Sequence, residues 1–197
     1  MSIVKNKASN YHHGDLRNIL IKVALEEIEK SDHEKLSLRS LAKKANVSPA
    51  APYRHFSDKE ALITALINEG EKKLFQGYEQ IMILDLPALE KVEAACHAYI
   101  EFTLKHNQLF RLMLTNTSTE HFENNSDKNS FILFEQMILA ASKPLSTKEL
   151  RILTISIWSG IHGLASLRSH TNNTWLEAGI TDEEITETIV KNILMMI

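Results

Sequence analysis

The chain has 197 residues, 44% of them apolar and 24% charged, with a net charge of −3; this is the make-up of a globular protein and excludes wholesale disorder. No run approaches the roughly 18 consecutive apolar residues of a membrane span, the first residues lack the apolar core of a signal peptide, and Cys96, the only cysteine, rules out an internal disulfide. A cytoplasmic protein is expected.

In chain order, residues 1–10 read as a polar, mobile arm. From Asp15 to Lys30 the positions Leu16, Ile19, Leu20, Val23, Ala24 and Ile28 keep helical spacing, with Asp15 favourable to the helix dipole. Ser37 caps a second periodic stretch, Leu38, Leu41, Ala42 and Ala45, ending at Asn46. A third helical element, Ser48 to Phe56, follows a tight turn, and Asp58 opens a fourth helix to about Gly77. Pro87 suits the first turn of a helix to about Lys105, and Gln108 to Leu114 makes a short one. Thr115 to Ser130 is a polar loop by composition. Phe131 to Ala141, Ser146 to Ser169 and Thr181 to Met196 complete the set, the last with Thr181 and Glu184 at capping-box spacing. No stretch alternates as a strand does, so the prediction is an all-α protein of about nine helices.

Charge is uneven along this path: residues 1–60 carry +3 and residues 61–197 carry −6. Such a bias favours an anionic partner for the first part only if a motif agrees. The pair Ser37–Ala45 and Ser48–Phe56 supplies one, having the spacing of a helix-turn-helix, whose second helix offers its N-terminal end to the DNA major groove. With Ser48 as N-cap, Pro49 would take the first helical position, where its missing N–H costs nothing, and Pro52 would remove one hydrogen bond. Ala50 and Ala51 keep that end slim enough to approach base edges. Arg39, in the first turn of the preceding helix, is the hydrogen-bonding reader expected; Tyr53, His55 and Lys59 are placed to hold phosphates, and Ser48 and Arg54 lie within the same element.

The run LSLRSLAKKANVSPAAPYRHFSDKEALITAL resembles the DNA-binding domain of TetR-family transcriptional regulators, and YHHGDLR, Tyr11 to Arg17, is similar to the lead-in of one branch. The resemblance implies a homodimeric regulator, usually a repressor, whose N-terminal domain binds a pseudo-palindromic double-stranded operator and whose C-terminal helices bind a small effector. It implies DNA contacts from Arg39, Pro49, Ala50, Ala51, Tyr53, His55 and Lys59. The chain departs from the family at Asn46, commonly glycine, and Pro52, commonly leucine; Asn tolerates the left-handed conformation, so the turn should survive. The expected division is an arm over 1–10, a DNA-binding domain over 11–57, a connecting helix over 58–77 and a ligand-binding and dimerisation domain over 78–197.

In the acidic remainder, IWSGIHGLASL, Ile157 to Leu167, resembles the Trp-His-Gly signature of a C-terminal domain in that branch. Gly160 and Gly163 inside a helix each cost about 1 kcal/mol against alanine, which close approach of another helix usually offsets. Trp158 and His162, four apart, are either a packed core pair or part of a ligand cavity; Phe102, Phe110, Met113, Phe131, Phe134 and Met137 are candidate companions. Apolar stripes on the last two long helices, Leu150, Leu153, Ile157, Ile161 and Leu164, then Ile185, Ile189 and Ile193, predict a partner subunit there. The histidines lack three- or four-residue spacing, so no metal or cofactor is expected. Two rivals stand beside the effector-controlled regulator: a DNA-binding protein with no inducer, and an enzyme using His162, Ser159 or Ser166. The second lacks a recognisable nucleophile, base and orienting acid.

Overall fold

In a computed structural model, residues 13–30, 36–115, 129–170 and 178–195 are described. The expected arm, Tyr11 and His12 of the lead-in, most of the polar loop and Met196 lie outside them. The described residues form eight α-helices and one 3₁₀ turn, with no strand: α1 (His13–Ile28), α2 (Leu38–Lys44), the 3₁₀ turn (Pro52–Arg54), α3 (Lys59–Met82), α4 (Ala88–Lys105), α5 (Asn107–Thr115), α6 (Ser130–Ala141), α7 (Thr147–His170) and α8 (Asp182–Met195). The chain divides into two compact units, Met1–Leu66 and Ile67–Ile197, and the division falls inside α3.

In the first unit, α2 packs on α1 and on the 3₁₀ turn. Its core is Leu20, Ala24 and Ile28 with Leu38, Leu41, Phe56 and Leu62, all nearly or wholly buried. The sequence signals for caps hold here. Ser37 and Ser40 close a reciprocal capping box at the start of α2, and the Asp58 carboxylate accepts from the Ala61 N–H at 2.8 Å to start α3. That hydrogen bond, with one from the Ser57 hydroxyl, holds the Asp58 carboxyl below the usual carboxylate range.

In the second unit, α4 and α7 are central, each packing on the other and on α6 and α8. Fully buried Leu109, Leu112, Met137, Ile138, Leu153, Ile157 and Ile161 fill the space between. Gly160 permits the close approach expected of it, since a Cβ there would meet Ile189 Cγ2 at 3.0 Å, whereas a Cβ at Gly163 would meet nothing within 4 Å among the described residues. Cys96 is a core residue, and burial pushes its thiol pKa up. At the last helix, the Thr181 hydroxyl accepts from the Glu184 N–H at 3.1 Å and the Glu184 carboxylate accepts from the Thr181 N–H at 2.8 Å, the predicted capping box.

Three expectations are corrected. The third element is not a helix from Ser48: its N–H groups bond three residues back, Ala51 to Ser48 at 3.0 Å and His55 to Pro52 at 2.9 Å, giving a turn and then a single 3₁₀ turn. Pro52 has no N–H to close an α-type bond to Ser48, so the tighter ladder takes over and Pro52 begins the helical turn instead of interrupting it. The fourth helix runs past Gly77 to Met82, because Leu74, Phe75 and Tyr78 continue its buried face. Of the stripe assigned to a partner subunit, Leu153, Ile157, Ile161 and Leu164 are buried within the chain itself. The α7 side left outside carries Ile152, Ile155 and Leu167, all about half exposed.

Helix α7 also has the length and mean hydropathy, 1.2, of a membrane-crossing helix. Its inner side packs on α4, α6 and α8, the setting of a core helix with one further apolar face.

Candidate functional site

Two sites emerge, one on the surface of the first unit and one inside the second. The first is built around the turn after α2. Val47 N–H bonds to Ala42 carbonyl at 2.9 Å and Asn46 N–H to Lys43 carbonyl at 3.3 Å, the paired bonds of a Schellman ending, with Asn46 in the left-handed region at φ 55°. This reverses the chain within two residues and carries it directly to Ser48.

Ser48, Pro49 and Ala50 are then exposed, as are Arg54 and Tyr53, the latter at 49%; Ala51, His55 and Lys59 are half-buried. Pro52 and Phe56 point inward and anchor the element, and the Arg17 guanidinium lies 5.5 Å from the Phe56 ring centroid. Arg39, exposed in the first turn of α2, is fixed in register by the Ser37–Ser40 box. Among the described residues neither Arg39 nor Arg54 is ion-paired. Lys44, by contrast, pairs with Glu27 and ties α2 to α1, which lowers the Glu27 carboxyl pKa. The surface thus presents the uncommitted guanidinium of Arg39 at the start of α2 and, on the short, well-anchored turn that follows, a second guanidinium, a phenol and slim apolar side chains. These groups suit the backbone and base edges of duplex DNA.

The second site is a cavity of about 100 Å³. Helix α3 lines it with Ile67, Glu71, Leu74 and Tyr78, a spacing of four, three and four residues that is one helical face. Helix α5 adds Phe110, Met113 and Leu114. The start of α6 adds Asn129, Ser130, Phe131 and Phe134, while Tyr99 of α4 and Trp158 of α7 complete the wall.

Polar groups in the wall are mostly committed. Glu71 Oε1 accepts from the Ser130 N–H at 2.6 Å, and Asn129 Oδ1 accepts from the Phe131 and Ile132 N–H groups at 2.9 and 3.3 Å, capping α6. The Tyr99 hydroxyl accepts from Trp158 and sits 3.0 Å from His162 Nδ1. A neutral His162 either accepts there from the Tyr99 hydroxyl or donates to it, according to its tautomer. Burial favours the neutral state, lowering the His162 pKa, and raises those of Tyr78 and Tyr99.

Of the eight candidates named for this region, Phe110, Met113, Phe131, Phe134 and Trp158 line the cavity. Phe102, Met137 and His162 do not. Phe102 packs on His106, with centroids 5.3 Å apart, and Met137 is fully buried. His162 stands behind the wall, stacked on Trp158 at 5.4 Å and tilted against Phe110 at 5.6 Å. Glu71, Tyr78, Tyr99, Asn129 and Ser130 are wall residues that the sequence reasoning does not single out. A signal exists for Glu71 and Tyr78 in the face shared with Leu74, where an acidic residue stands in an otherwise apolar row. Among the described residues no group of three or more His, Cys, Asp or Glu side chains could hold a metal ion.

A capped helix, a Schellman turn and an anchored, cation-flanked turn after it have the form of a helix-turn-helix DNA-binding element. Residues 20–66 match the family model of bacterial regulatory proteins of the tetR family, and residues 92–190 match that of the tetracyclin repressor-like C-terminal domain. The chain belongs to the TetR family of transcriptional regulators. An uncharacterised HTH-type transcriptional regulator of Haemophilus influenzae is 30% identical over 104 residues, 52% of this chain and 50% of that protein. The chain spans about half the length of the curated relatives it matches. Among solved structures, a protein of unknown function from Rhodococcus sp. RHA1 is similar over 96% of this chain and 98% of its own, at 26% identity and a TM-score of 0.75. A tetR-family regulator from Streptomyces coelicolor is similar over 90% of this chain and 80% of its own, at 18% identity and a TM-score of 0.67.

Proposed function

We propose that this regulator is a homodimeric repressor, acting in the cytoplasm, that a small, largely apolar effector releases from a pseudo-palindromic operator. Arg39 reads one base position, Ala50 and Ala51 approach base edges, and Tyr53, His55 and Lys59 grip phosphates, with Ser48, Pro49 and Arg54 completing the contact surface. The observation that carries the effector is the aromatic cavity of the second unit: a regulator with no inducer would be expected to close and dry its core there. Helix α3 bears Lys59 in its first turn and Glu71, Leu74 and Tyr78 in the cavity wall. An occupant that shifts this helix is therefore coupled to operator affinity, by about 1–3 kcal/mol in a typical allosteric protein.

Dimerisation through α7 and α8 is supported by the outward Ile152, Ile155 and Leu167 and by Gly163, whose cost inside a helix no close neighbour among the described residues offsets. Two reading elements about 34 Å apart would then require a two-fold related site.

The test begins with an operator recovered by genome-wide footprinting and followed by fluorescence anisotropy. An effector from a metabolite panel should weaken operator binding about 5- to 150-fold, and Leu74→Trp, which fills the cavity, should bind the operator normally but ignore that effector. Ile155→Asp should shift the dimer toward monomer in analytical ultracentrifugation. A strictly monomeric wild type, or an operator affinity that no compound alters, overturns the reading.

A further inference from the structure

We propose that the cavity of the second unit takes a small organic ammonium group, a quaternary or alkylated amine of about tert-butyl size, held by the Glu71 carboxylate among aromatic faces. The inference rests on the effector reading above and specifies the charge and size of what enters.

Glu71 is the one charged side chain that the described residues place in the wall. Around it stand the rings of Tyr78, Tyr99, Phe110, Phe131, Phe134 and Trp158. A ring presents a negative face, and a carboxylate beside several rings is a setting that stabilises a desolvated cation. Only one Glu71 oxygen is committed, to the Ser130 N–H; among the described residues Oε2 has no partner. A neutral apolar occupant would strip water from that oxygen and return nothing, a cost that disfavours it.

An anion fares worse. The start of α6 faces the cavity and could in principle attract one, but its amides are already taken. Ser130 donates to Glu71, and Phe131 and Ile132 donate to Asn129. The helix end contributes roughly half a positive charge, less than the carboxylate's full negative one. The nearby Arg151 guanidinium, 5.2 Å from the Phe131 centroid, is not in the wall and is bound to Glu135 at 2.9 Å. Its position shows a face of Phe131 already receiving a cation. Size is in keeping: about 100 Å³, against the roughly 150 Å³ of a cavity that accepts benzene, suits a compact head group.

The experiment uses three probes of similar shape and different charge: tetramethylammonium, tert-butyl alcohol and pivalate. Binding to the full-length protein is followed by chemical-shift titration of methyl-labelled Leu, Ile and Met. Tetramethylammonium should shift the Ile67, Leu74 and Met113 methyls with a Kd at least tenfold lower than the alcohol's, and pivalate should leave them unmoved. Glu71→Gln, which keeps an acceptor for the Ser130 N–H, should lose at least tenfold for the ammonium and less than twofold for the alcohol. Equal or tighter binding of the alcohol or pivalate overturns the charge assignment while leaving a cavity that binds effectors. Silence from all three probes overturns it as well, and the effector reading is then decided separately by the metabolite panel and Leu74→Trp. Should Glu71→Gln fail to fold, the wild-type charge series alone decides between the outcomes.

Discussion

The two units of this regulator place their working groups in opposite environments. In the first, the core is conventional and the candidate contacts are on the surface, carried by the first turn of α2, the turn between α2 and α3 and the first residue of α3. In the second, the candidate site is a cavity walled by residues of five helices that are distant from one another along the chain. A surface reader needs a rigid short-range scaffold, which caps and turns supply within about 20 residues. An interior receptor needs long helices held apart, so that packing stays imperfect at one place without loss of the rest.

The sharpest way to break this contrast is to damage the interior away from the cavity. Ile157 is fully buried on α7, among α4, α6 and α8. Ile157→Ala should cost about 2–5 kcal/mol, read as a lower denaturation midpoint with an unchanged slope in chemical unfolding. A loss below 1 kcal/mol would mean that the second unit is loosely packed throughout and that its cavity is not a local feature.

At the surface the expected effects are smaller and depend on DNA sequence. Arg39→Ala should lose about 1–3 kcal/mol, concentrated at one base position. Lys59→Ala should weaken binding to all sequences about equally and reduce the salt-dependence slope by roughly one. Titrations of a substituted operator series at two salt concentrations separate the two. An even loss across all bases for Arg39→Ala would remove it as the reader.

The contrast also explains what is legible in the sequence. Ser37, Asp58, Thr181 with Glu184, and Asn46 act on backbone groups a few residues away, so their roles can be read from spacing, and each appears in the structure as a cap or left-handed turn. The 3₁₀ turn escapes such a reading because a three-residue and a four-residue hydrogen-bond ladder differ by one acceptor, and Pro52 decides between them by what it lacks. Apolar stripes on α7 identify a buried side but not what buries it. Leu153, Ile157, Ile161 and Leu164 meet their own chain's helices, and the side left outside, with Ile152, Ile155 and Leu167, is found only by subtraction. Tyr99 and Glu71 come to line one cavity only when five helices pack, which no local pattern records.

Asn46 offers a test within the surface unit. At φ 55° a β-branched side chain is strained by about 1–2 kcal/mol, whereas glycine is not. Asn46→Val should therefore lower both the stability of the first unit and operator affinity, and Asn46→Gly should leave both close to wild type. Both are measurable by thermal melting followed by anisotropy. If valine is tolerated, the Schellman ending is not what sets the angle between α2 and the reading turn.

The smallest expected effect lies behind the cavity, at His162, and its sign is fixed by burial. The folded pKa is lowered, so the unfolded chain takes up its proton first as pH falls. Stability from this group is undiminished above the ordinary histidine value of about 6.5 and is lost as pH drops below it through the folded value. His162→Asn, whose amide can accept from or donate to the Tyr99 hydroxyl, removes the titration and keeps a hydrogen-bond partner there. Its Tm should fall less than that of wild type between pH 7.5 and pH 5.5, because every other group contributes equally to both proteins. Parallel Tm curves would show that the imidazole protonates in place without cost to its contact with the Tyr99 hydroxyl, and that the cavity wall is softer than the hydrogen bonds of Tyr99 with Trp158 and His162 require.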